Sequence, residues 1–280
     1  MVPGGRGLGY FVRLRRRSGD MTIAPELHRP GSLPEALALI SDDCPPLAGA
    51  TWLMRRPLRH AGYVSVGPLL RGSGRRRDAR TFGAGLTHTE LAAATRDDPD
   101  LRVLHQAAAH SANPGVRQRA TLGGNLCTRG FPAADLVPAL LCLDARVVLN
   151  GSELPLADFL AERPPGLLTE VVVPNGNRLS GHARLPLRRA GDYPVAIVSV
   201  ALTVDDGIVR DARVAVGSVE PVARRWSEVE AQLVGQPVDP AAAVEAARGC
   251  RLRGRDGVDA PGWYRERVLP VLLGRAVSCA

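Results

Sequence analysis

A run of residues suited to phosphate binding lies near the middle of the chain, at Thr121-Leu122-Gly123-Gly124-Asn125. Two adjacent glycines allow positive φ and leave no Cβ in the way, so successive backbone N–H groups can close on an anion. Asp135, further along, would be repelled by a phosphate, and its carboxylate suits hydroxyls or ring N–H groups of the same ligand. The alternative interpretation is a Gly-Gly turn followed by a helix that Asp135 caps.

A second glycine-centred segment lies upstream, at Leu47-Ala48-Gly49-Ala50-Thr51. A helix is predicted before it, because Ser32 and Glu35 have the spacing of a capping box. Apolar residues then recur along one helical face, at Leu33, Ala36, Leu37 and Ile40. Aspartates and prolines end this helix, and a short apolar run leads into the loop. The order is therefore helix, short strand, glycine loop.

Helical and short apolar segments alternate with Gly and Pro up to about residue 178. Thr87 opens a second capping box, and Asp98-Pro99 opens the next helix. His88 and His105 fall in these helices, and we interpret both as partly buried helix residues rather than ligands, because no cluster of other ligating residues accompanies them. The basic run at residues 71–77 is predicted to be a solvated loop, and docking against an acidic partner surface is the alternative.

Beyond about residue 179 the pattern changes to that of an antiparallel sheet with helices. Apolar and polar residues alternate over 198–204, Asp205-Asp206-Gly207 forms a turn, and residues 208–216 run back. Helices are predicted after Ser227, after Asp239 and over 263–277. The predicted fold class is α+β, with one part at 21–178 and a second at 179–280.

Taken in order along the chain, these segments resemble the FAD-binding medium subunit of molybdenum hydroxylases. That family has the PCMH-type FAD-binding fold and includes the flavin subunit of carbon monoxide dehydrogenase and the flavin domain of xanthine dehydrogenase. The resemblance covers roughly residues 21–280. It is carried by the two glycine segments and by Arg29-Pro30, Gly83-Ala84-Gly85-Leu86-Thr87-His88, Asn113-Pro114, Pro132-Ala133-Ala134-Asp135, Leu167-Leu168-Thr169-Glu170, Arg188-Arg189-Ala190-Gly191-Asp192, Tyr264-Arg265 and Arg275-Ala276.

The resemblance implies that FAD lies between the two parts of the chain. The backbone at Leu47, Ala48, Gly49, Ala50 and Thr51 would hold one side of its pyrophosphate, and that at Thr121, Leu122, Gly123, Gly124 and Asn125 the other. Asp135 would bond the ribityl or ribose portion, and Leu168 would pack on the flavin. Arg184 would lie near the isoalloxazine, where a fixed cation stabilises the reduced, anionic flavin. The alternative for Arg184 is an exposed strand arginine.

The chemistry that the resemblance implies is electron transfer in an FAD-dependent oxidoreductase. Electrons would arrive from a small 2Fe–2S subunit, which receives them from a molybdenum cofactor on a large subunit, and FAD would pass them to NAD, a quinone or oxygen. Two other classes stay open. One is a stand-alone flavoprotein dehydrogenase or oxidase acting on a small molecule, and the other is a flavin-free scaffold or interaction protein.

Several positions depart from the family pattern. The first loop of the family usually has two glycines where this chain has Gly49-Ala50, and a Cβ at position 50 would obstruct the pyrophosphate if its φ is positive. Trp52 replaces a smaller or polar residue. The segment between Asn125 and Asp135 is one residue longer, and it carries Phe131 where small residues are usual. Phe131 or Trp52 could supply an aromatic face to the flavin ring system.

Composition excludes several classes of protein. With 45% hydrophobic and 23% charged residues, the 280-residue chain is neither disordered nor membranous, and no apolar run approaches the roughly 20 residues that span a bilayer. The chain contains no lysine, which excludes a P-loop lysine and Schiff-base chemistry. Five cysteines without C-x-x-C spacing favour a reducing cytoplasm over a disulfide framework.

The net charge of +8 comes largely from one end of the chain. Residues 1–20 hold Arg6, Arg13, Arg15, Arg16 and Arg17 against Asp20, which is +5 − 1 = +4, half of the total. We interpret this tail as a disordered Arg-rich extension, or as a start assigned upstream of Met21. A basic arm that binds nucleic acid is the alternative.

Overall fold

A computed structural model of the protein describes residues 24–55, 59–188 and 193–280. The predicted extension at residues 1–20 and positions 189–192 of the family pattern lie outside the described residues. The described chain contains α-helices, one small parallel sheet and two antiparallel sheets, so the predicted α+β class is confirmed.

The first sheet carries one of the two glycine loops. Its strands are β1 (Glu26–His28), β2 (Pro46–Leu47) and β3 (Gly62–Ser65), paired in parallel in the order β1-β3-β2. Helix α1 (Leu33–Leu39) connects β1 to β2. Ser32 caps it by accepting from the Glu35 N–H, whereas the Glu35 carboxylate accepts from Gly31, so half of the predicted capping box forms.

The second sheet is antiparallel, in the order β4-β5-β8-β6-β7. Its strands are β4 (Ser73–Arg75), β5 (Ala79–Gly83), β6 (Arg146–Leu149), β7 (Ser152–Pro155) and β8 (Leu168–Pro174). Strand β4 lies within the basic run at 71–77 that was predicted to be a solvated loop; residues 73–75 form a strand instead, but the whole run is exposed to solvent, as predicted. Arg76, the residue after β4, forms salt bridges with Glu153 on β7 and Glu170 on β8 of the same sheet.

Short helices pack against these sheets and form the larger core. They are α2 (His88–Thr95), α3 (Arg102–His110), α4 (Pro114–Arg117), α5 (Leu122–Cys127), α6 (Leu136–Cys142) and α7 (Leu156–Glu162). The capping box at Thr87 and Glu90 is complete, as predicted. The helix predicted to start at Asp98-Pro99 begins as a 3₁₀ turn, Pro99–Leu101, that leads into α3.

The third sheet and three helices form the rest of the chain. The strands β9 (Leu179–Pro186), β10 (Pro194–Asp205), β11 (Ile208–Gly217) and β12 (Arg224–Arg225) pair antiparallel in the order β12-β11-β10-β9, which includes the predicted hairpin. The helices are α8 (Ser227–Leu233), α9 (Pro240–Arg248) and α10 (Gly262–Ser278). None of the helices in the described ranges is long and apolar enough to cross a membrane.

Two hydrophobic cores meet at the third sheet. Val198, Val200 and Leu202 point to a core shared with α8, α9 and α10, while Ala201 and Ala215 belong to the core that the α3 and α6 helices complete. Because side chains alternate along a strand, the same hairpin closes both cores. The third sheet is therefore attached directly to the part of the chain that carries the glycine segments.

Candidate cofactor-binding cleft

A cleft of about 790 Å³ brings most of the predicted site residues together. It is lined by ten of them, namely Leu47, Ala48, Gly49, Ala50, Thr51, Thr121, Gly124, Asn125, Asp135 and Arg184. Leu122 and Gly123 are buried beneath the cleft, and Leu168 is buried at the start of β8; none of these three lines it. The volume is in the usual range for cofactor and ligand sites.

The first loop, residues 47–51, presents free backbone donors to the cleft. Among the described residues, no hydrogen bond engages the backbone N–H of Ala48, Gly49, Ala50 or Thr51. Ala50 has a φ of 59°, in the left-handed region that glycine prefers. Because this φ is positive, the Ala50 Cβ would crowd a bound anion.

Gly49 fixes the distance between the two glycine segments. A Cβ built on it would lie 1.9 Å from the carbonyl oxygen of Arg119 and 3.2 Å from the Cα of Ala120. No side chain fits at 1.9 Å, so only glycine allows the first loop to approach the segment before Thr121 this closely. The backbone of the first loop therefore lies directly against the backbone of Arg119 and Ala120.

The second segment differs from its prediction. Gly123 and Gly124 do not have positive φ; they lie in the first turn of α5, which Thr121 caps by accepting from the Gly124 N–H at 3.1 Å. The N–H groups of Leu122 and Gly123 donate to the carbonyls of Leu86 and Ala84, each at 2.8 Å. The N–H groups of Leu122, Gly123 and Gly124 are therefore not free to cradle a phosphate, and the glycine pair lies in a helix rather than in the turn of the alternative interpretation.

Close packing explains the glycine pair. A Cβ on Gly123 would lie 2.9 Å from the Cβ of Ala84, and one on Gly124 would lie 2.9 Å from Thr121 Oγ1. The segment contributes side chains to the cleft, together with Thr121, whose backbone N–H makes no hydrogen bond among the described residues. The Asn125 Oδ1 atom is buried and has no hydrogen-bond partner among the described residues.

Asp135 and Arg184 form a buried ion pair at one wall of the cleft. Arg184 Nε donates to Asp135 Oδ1 at 2.8 Å, and the two side chains are 11% and 5% exposed. His182 Nε2 lies 3.8 Å from the same oxygen. Arg184 is thus not the exposed strand arginine of the alternative interpretation. Asp135 stands at the N-terminus of α6 but makes no side-chain capping bond.

An aromatic cluster lines another part of the cleft. The Trp52 and Phe131 rings have centroids 4.7 Å apart, and Phe131 and Tyr193 have centroids 5.3 Å apart. The Arg55 guanidinium lies 5.4 Å from the Trp52 centroid and 5.2 Å from that of Tyr193. The two aromatic residues that depart from the family pattern therefore meet, and Tyr193 joins them from the start of β10.

Two further cleft residues were missed from sequence. His88 and Tyr63 line the cleft, and both are nearly fully buried. The Nε2 atom of His88 and the hydroxyl of Tyr63 have no hydrogen-bond partner among the described residues. The only signal for His88 in the sequence was its place beside the Thr87 cap, which predicts a helix start and does not indicate a ligand.

The cleft has the chemistry that a dinucleotide needs. It offers free N–H groups for an anion, buried polar atoms without partners for hydroxyls, and aromatic rings for a ring system. Residues 19–176 match the model of the FAD binding domain in molybdopterin dehydrogenase, and residues 183–280 match that of the CO dehydrogenase flavoprotein C-terminal domain. The chain belongs to this family of flavoproteins, as the resemblance predicted.

Relatives and solved structures agree with this assignment. The carbon monoxide dehydrogenase medium chain of Afipia carboxidovorans is 29% identical over 91% of this chain and 96% of its own length. The 6-hydroxypseudooxynicotine dehydrogenase complex subunit alpha of Paenarthrobacter nicotinovorans is 33% identical over 71% and 72%. A chain of the reconstituted CO dehydrogenase from Oligotropha carboxidovorans superposes with a TM-score of 0.82 at 26% identity, covering 92% and 97%.

These findings establish the class of activity. The chain is an FAD-binding subunit of the molybdenum hydroxylase type, and its chemistry is FAD-dependent oxidoreduction. Homologues are medium subunits of complexes with several subunits. The findings support the electron-transfer interpretation and not the stand-alone flavoprotein.

Proposed function

We propose that this chain carries FAD between a small 2Fe–2S subunit and an external acceptor in a three-subunit complex whose large subunit holds the molybdenum cofactor. The observation that supports this most is the pairing of a dinucleotide-type cleft with near full-length similarity to medium chains of such complexes. Bound FAD supplies the isoalloxazine, which accepts electrons and passes them to NAD, a quinone or oxygen.

We propose that the pyrophosphate binds at the first loop. Neutral N–H groups suffice for an anion when several converge on it, and the N–H groups of Ala48, Gly49, Ala50 and Thr51 are free. The second segment contributes chiefly the Asn125 side chain and, of its backbone donors, the N–H of Thr121. The first loop and the second segment therefore contribute different kinds of group, although both line the same cleft.

The ion pair and the aromatic cluster would serve the rest of the cofactor. The Asp135 carboxylate keeps one oxygen for the Arg184 bond, and we propose that its remaining acceptor capacity serves ribityl or ribose hydroxyls. Trp52 and Phe131 would give the isoalloxazine an apolar, aromatic contact surface.

We also propose that both parts of the chain supply residues to the cleft, and that the protein works in the cytoplasm. Residues 21–178 carry both glycine segments and Asp135, while residues 179–280 add Arg184 and Tyr193 to the same cleft. All five cysteines are free thiols, which fits a reducing cytoplasm.

Affinity purification of the chain from its native cell tests the proposal. We expect yellow protein with one FAD released per chain on denaturation, together with co-purifying molybdenum and 2Fe–2S subunits. A colourless protein that rejects added FAD would contradict the cofactor assignment. Flavin reduction by a small molecule without any partner subunit would favour the stand-alone dehydrogenase.

A further inference from the structure

Three Arg, Asp or Glu side chains line the cofactor cleft among the described residues, namely Asp135, Arg184 and Arg55. Asp135 and Arg184 form the buried ion pair, in which Arg184 Nε lies 2.8 Å from Asp135 Oδ1. Two opposite charges this close together largely cancel for a group that lies further away. The formal sum over the three residues is +2 − 1 = +1, and Arg55 is the residue whose charge has no counterpart in the cleft.

The Arg55 side chain lies on aromatic rings rather than beside a carboxylate. Within residues 24–55, 59–188 and 193–280 it forms neither a salt bridge nor a side-chain hydrogen bond. Its guanidinium lies 5.4 Å from the Trp52 centroid and 5.2 Å from the Tyr193 centroid. Neutral rings hold a guanidinium in place through cation–π contacts without cancelling its charge. The position of Arg55 is therefore defined, and its charge can act on other groups in the cleft.

Arg55 and Arg184 belong to the same part of the cleft. Tyr193, which Arg55 contacts, directly precedes Pro194 at the start of β10. Pro194 pairs with Pro186 on β9, two residues after Arg184. The aromatic cluster and the ion pair are thus neighbours at one end of the β9–β10 hairpin. This is the part of the cleft in which the isoalloxazine was proposed to bind.

The isoalloxazine gains negative charge when it is reduced to its anionic form. A nearby cation stabilises that form relative to the oxidised one, and so raises the reduction potential. Because Asp135 offsets the charge of Arg184, the ion pair contributes little to the difference. The charge of Arg55 is not offset, so its contribution should be the larger one.

We propose that Arg55 supplies the net positive charge that stabilises the reduced flavin, and that it raises the reduction potential of bound FAD. The inference rests on the proposed function, since FAD is the ligand that it concerns. The resemblance to the family gave this role to Arg184, whose charge is balanced by Asp135 in this chain. Arg55 acts through its charge and takes no part in transferring electrons.

The test is a reductive titration of bound FAD with dithionite, followed by flavin absorbance against reference dyes. It uses whichever form of the wild type holds FAD, the full chain or its native complex. For Arg55→Gln we expect the ratio of the dissociation constants of reduced and oxidised FAD to rise about threefold to tenfold, as for one solvent-screened charge near the ring. For a two-electron couple this corresponds to a potential about 15–30 mV lower. Arg55→Lys keeps the charge and should recover at least half of the shift.

Arg59→Gln is the matched control. Arg59 is exposed like Arg55 and has no salt bridge among the described residues, but it does not line the cleft. It loses the same charge, and it should shift the potential by less than a third as much as Arg55→Gln does. Thermal melting shows whether each variant is folded. Arg55→Met, which keeps an apolar stem against the rings, replaces Arg55→Gln if that variant unfolds.

Several results would overturn the proposal while the proposed function stands. One is an unchanged potential in Arg55→Gln with FAD retained. Another is a drop in Arg55→Lys as large as that in Arg55→Gln, because charge would then not be the cause. If Arg55→Gln weakens the binding of oxidised and reduced FAD equally, Arg55 serves the pyrophosphate instead. A wild type that binds FAD in neither form would contradict the proposed function itself.

Discussion

Ala50→Gly should stabilise the chain and strengthen FAD binding. A left-handed conformation costs a residue with a Cβ about 1–2 kcal/mol, and Ala50 has a φ of 59°. Glycine removes that cost but adds about 0.5–1 kcal/mol of backbone entropy. We therefore expect the free energy of unfolding to rise by about 0.5–1 kcal/mol, and the melting temperature by about 1–4 °C for a chain of this size.

The effect on FAD binding has a separate cause. If φ stays positive in the bound state, relief of strain cancels between free and bound protein, and only the space that the Cβ vacates can change the affinity. A closer approach worth one neutral hydrogen bond, about 1 kcal/mol, would lower the dissociation constant about fivefold.

Two measurements test these expectations independently. Denaturant unfolding without FAD measures the cost of the left-handed conformation at position 50. A fluorescence titration with FAD measures whether the Cβ weakens binding. Ala48→Gly is the matched control, because Ala48 lies in the same loop and is not among the described residues with positive φ; it should lose about 0.5–1 kcal/mol. If both variants lose stability alike, the reasoning about Ala50 is wrong. An unchanged FAD dissociation constant in Ala50→Gly would refute the idea that the Ala50 Cβ obstructs the approach of FAD.

Three further perturbations probe the cleft. Gly49→Ala should destabilise the chain by about 1–3 kcal/mol and abolish FAD binding, because its Cβ would lie 1.9 Å from a backbone oxygen. Gly115→Ala, whose Cβ would meet only a side chain at 3.5 Å, should retain FAD, and equal behaviour of the two variants would count against the close approach. Asp135→Asn should cost about 3 kcal/mol in urea unfolding, because it removes the carboxylate from a buried pair with Arg184; a loss of about 0–1 kcal/mol would mean that water screens the pair. Burial lowers the pKa of His88 from 6.5 to about 4, so between these pH values the unfolded chain binds a proton that the folded chain does not. The free energy of unfolding therefore has its full value with respect to this group above pH 6.5 and falls by about 3 kcal/mol as the pH decreases toward 4. A pH series of unfolding curves should show this decrease in the wild type but not in His88→Phe.

Local signals in the sequence were sufficient for most of the fold. The Thr87 capping box, the hairpin turn at Asp205-Asp206-Gly207 and the last helix each depend on residues close together in the chain. Strand β4 was missed because its residues, Ser73, Gly74 and Arg75, are all exposed and have no apolar alternation, although its partner β5 follows closely in sequence.

The same limit applies to the cleft. Sequence located the two glycine segments and Asp135, but not what each glycine does. Gly49 is required by the carbonyl of Arg119 and Gly123 by the side chain of Ala84, neither of which is a neighbour in sequence. Most of the free backbone donors consequently lie in the first loop, whereas the glycine pair pointed to the second segment. His88 was missed for a related reason, since its buried place in the cleft wall depends on the packing of α2 against the second segment.

The contacts that join the two parts of the chain across the cleft have an evolutionary consequence. Asp135 and Phe131 come from the region of the first family match, whereas their partners Arg184 and Tyr193 come from the region of the second. If one region were replaced by the corresponding region of another protein, Asp135 could lose its partner Arg184, and Phe131 could lose its contact with Tyr193. Selection on cofactor retention should therefore keep the two regions together, and substitutions at these four positions should be correlated among homologues.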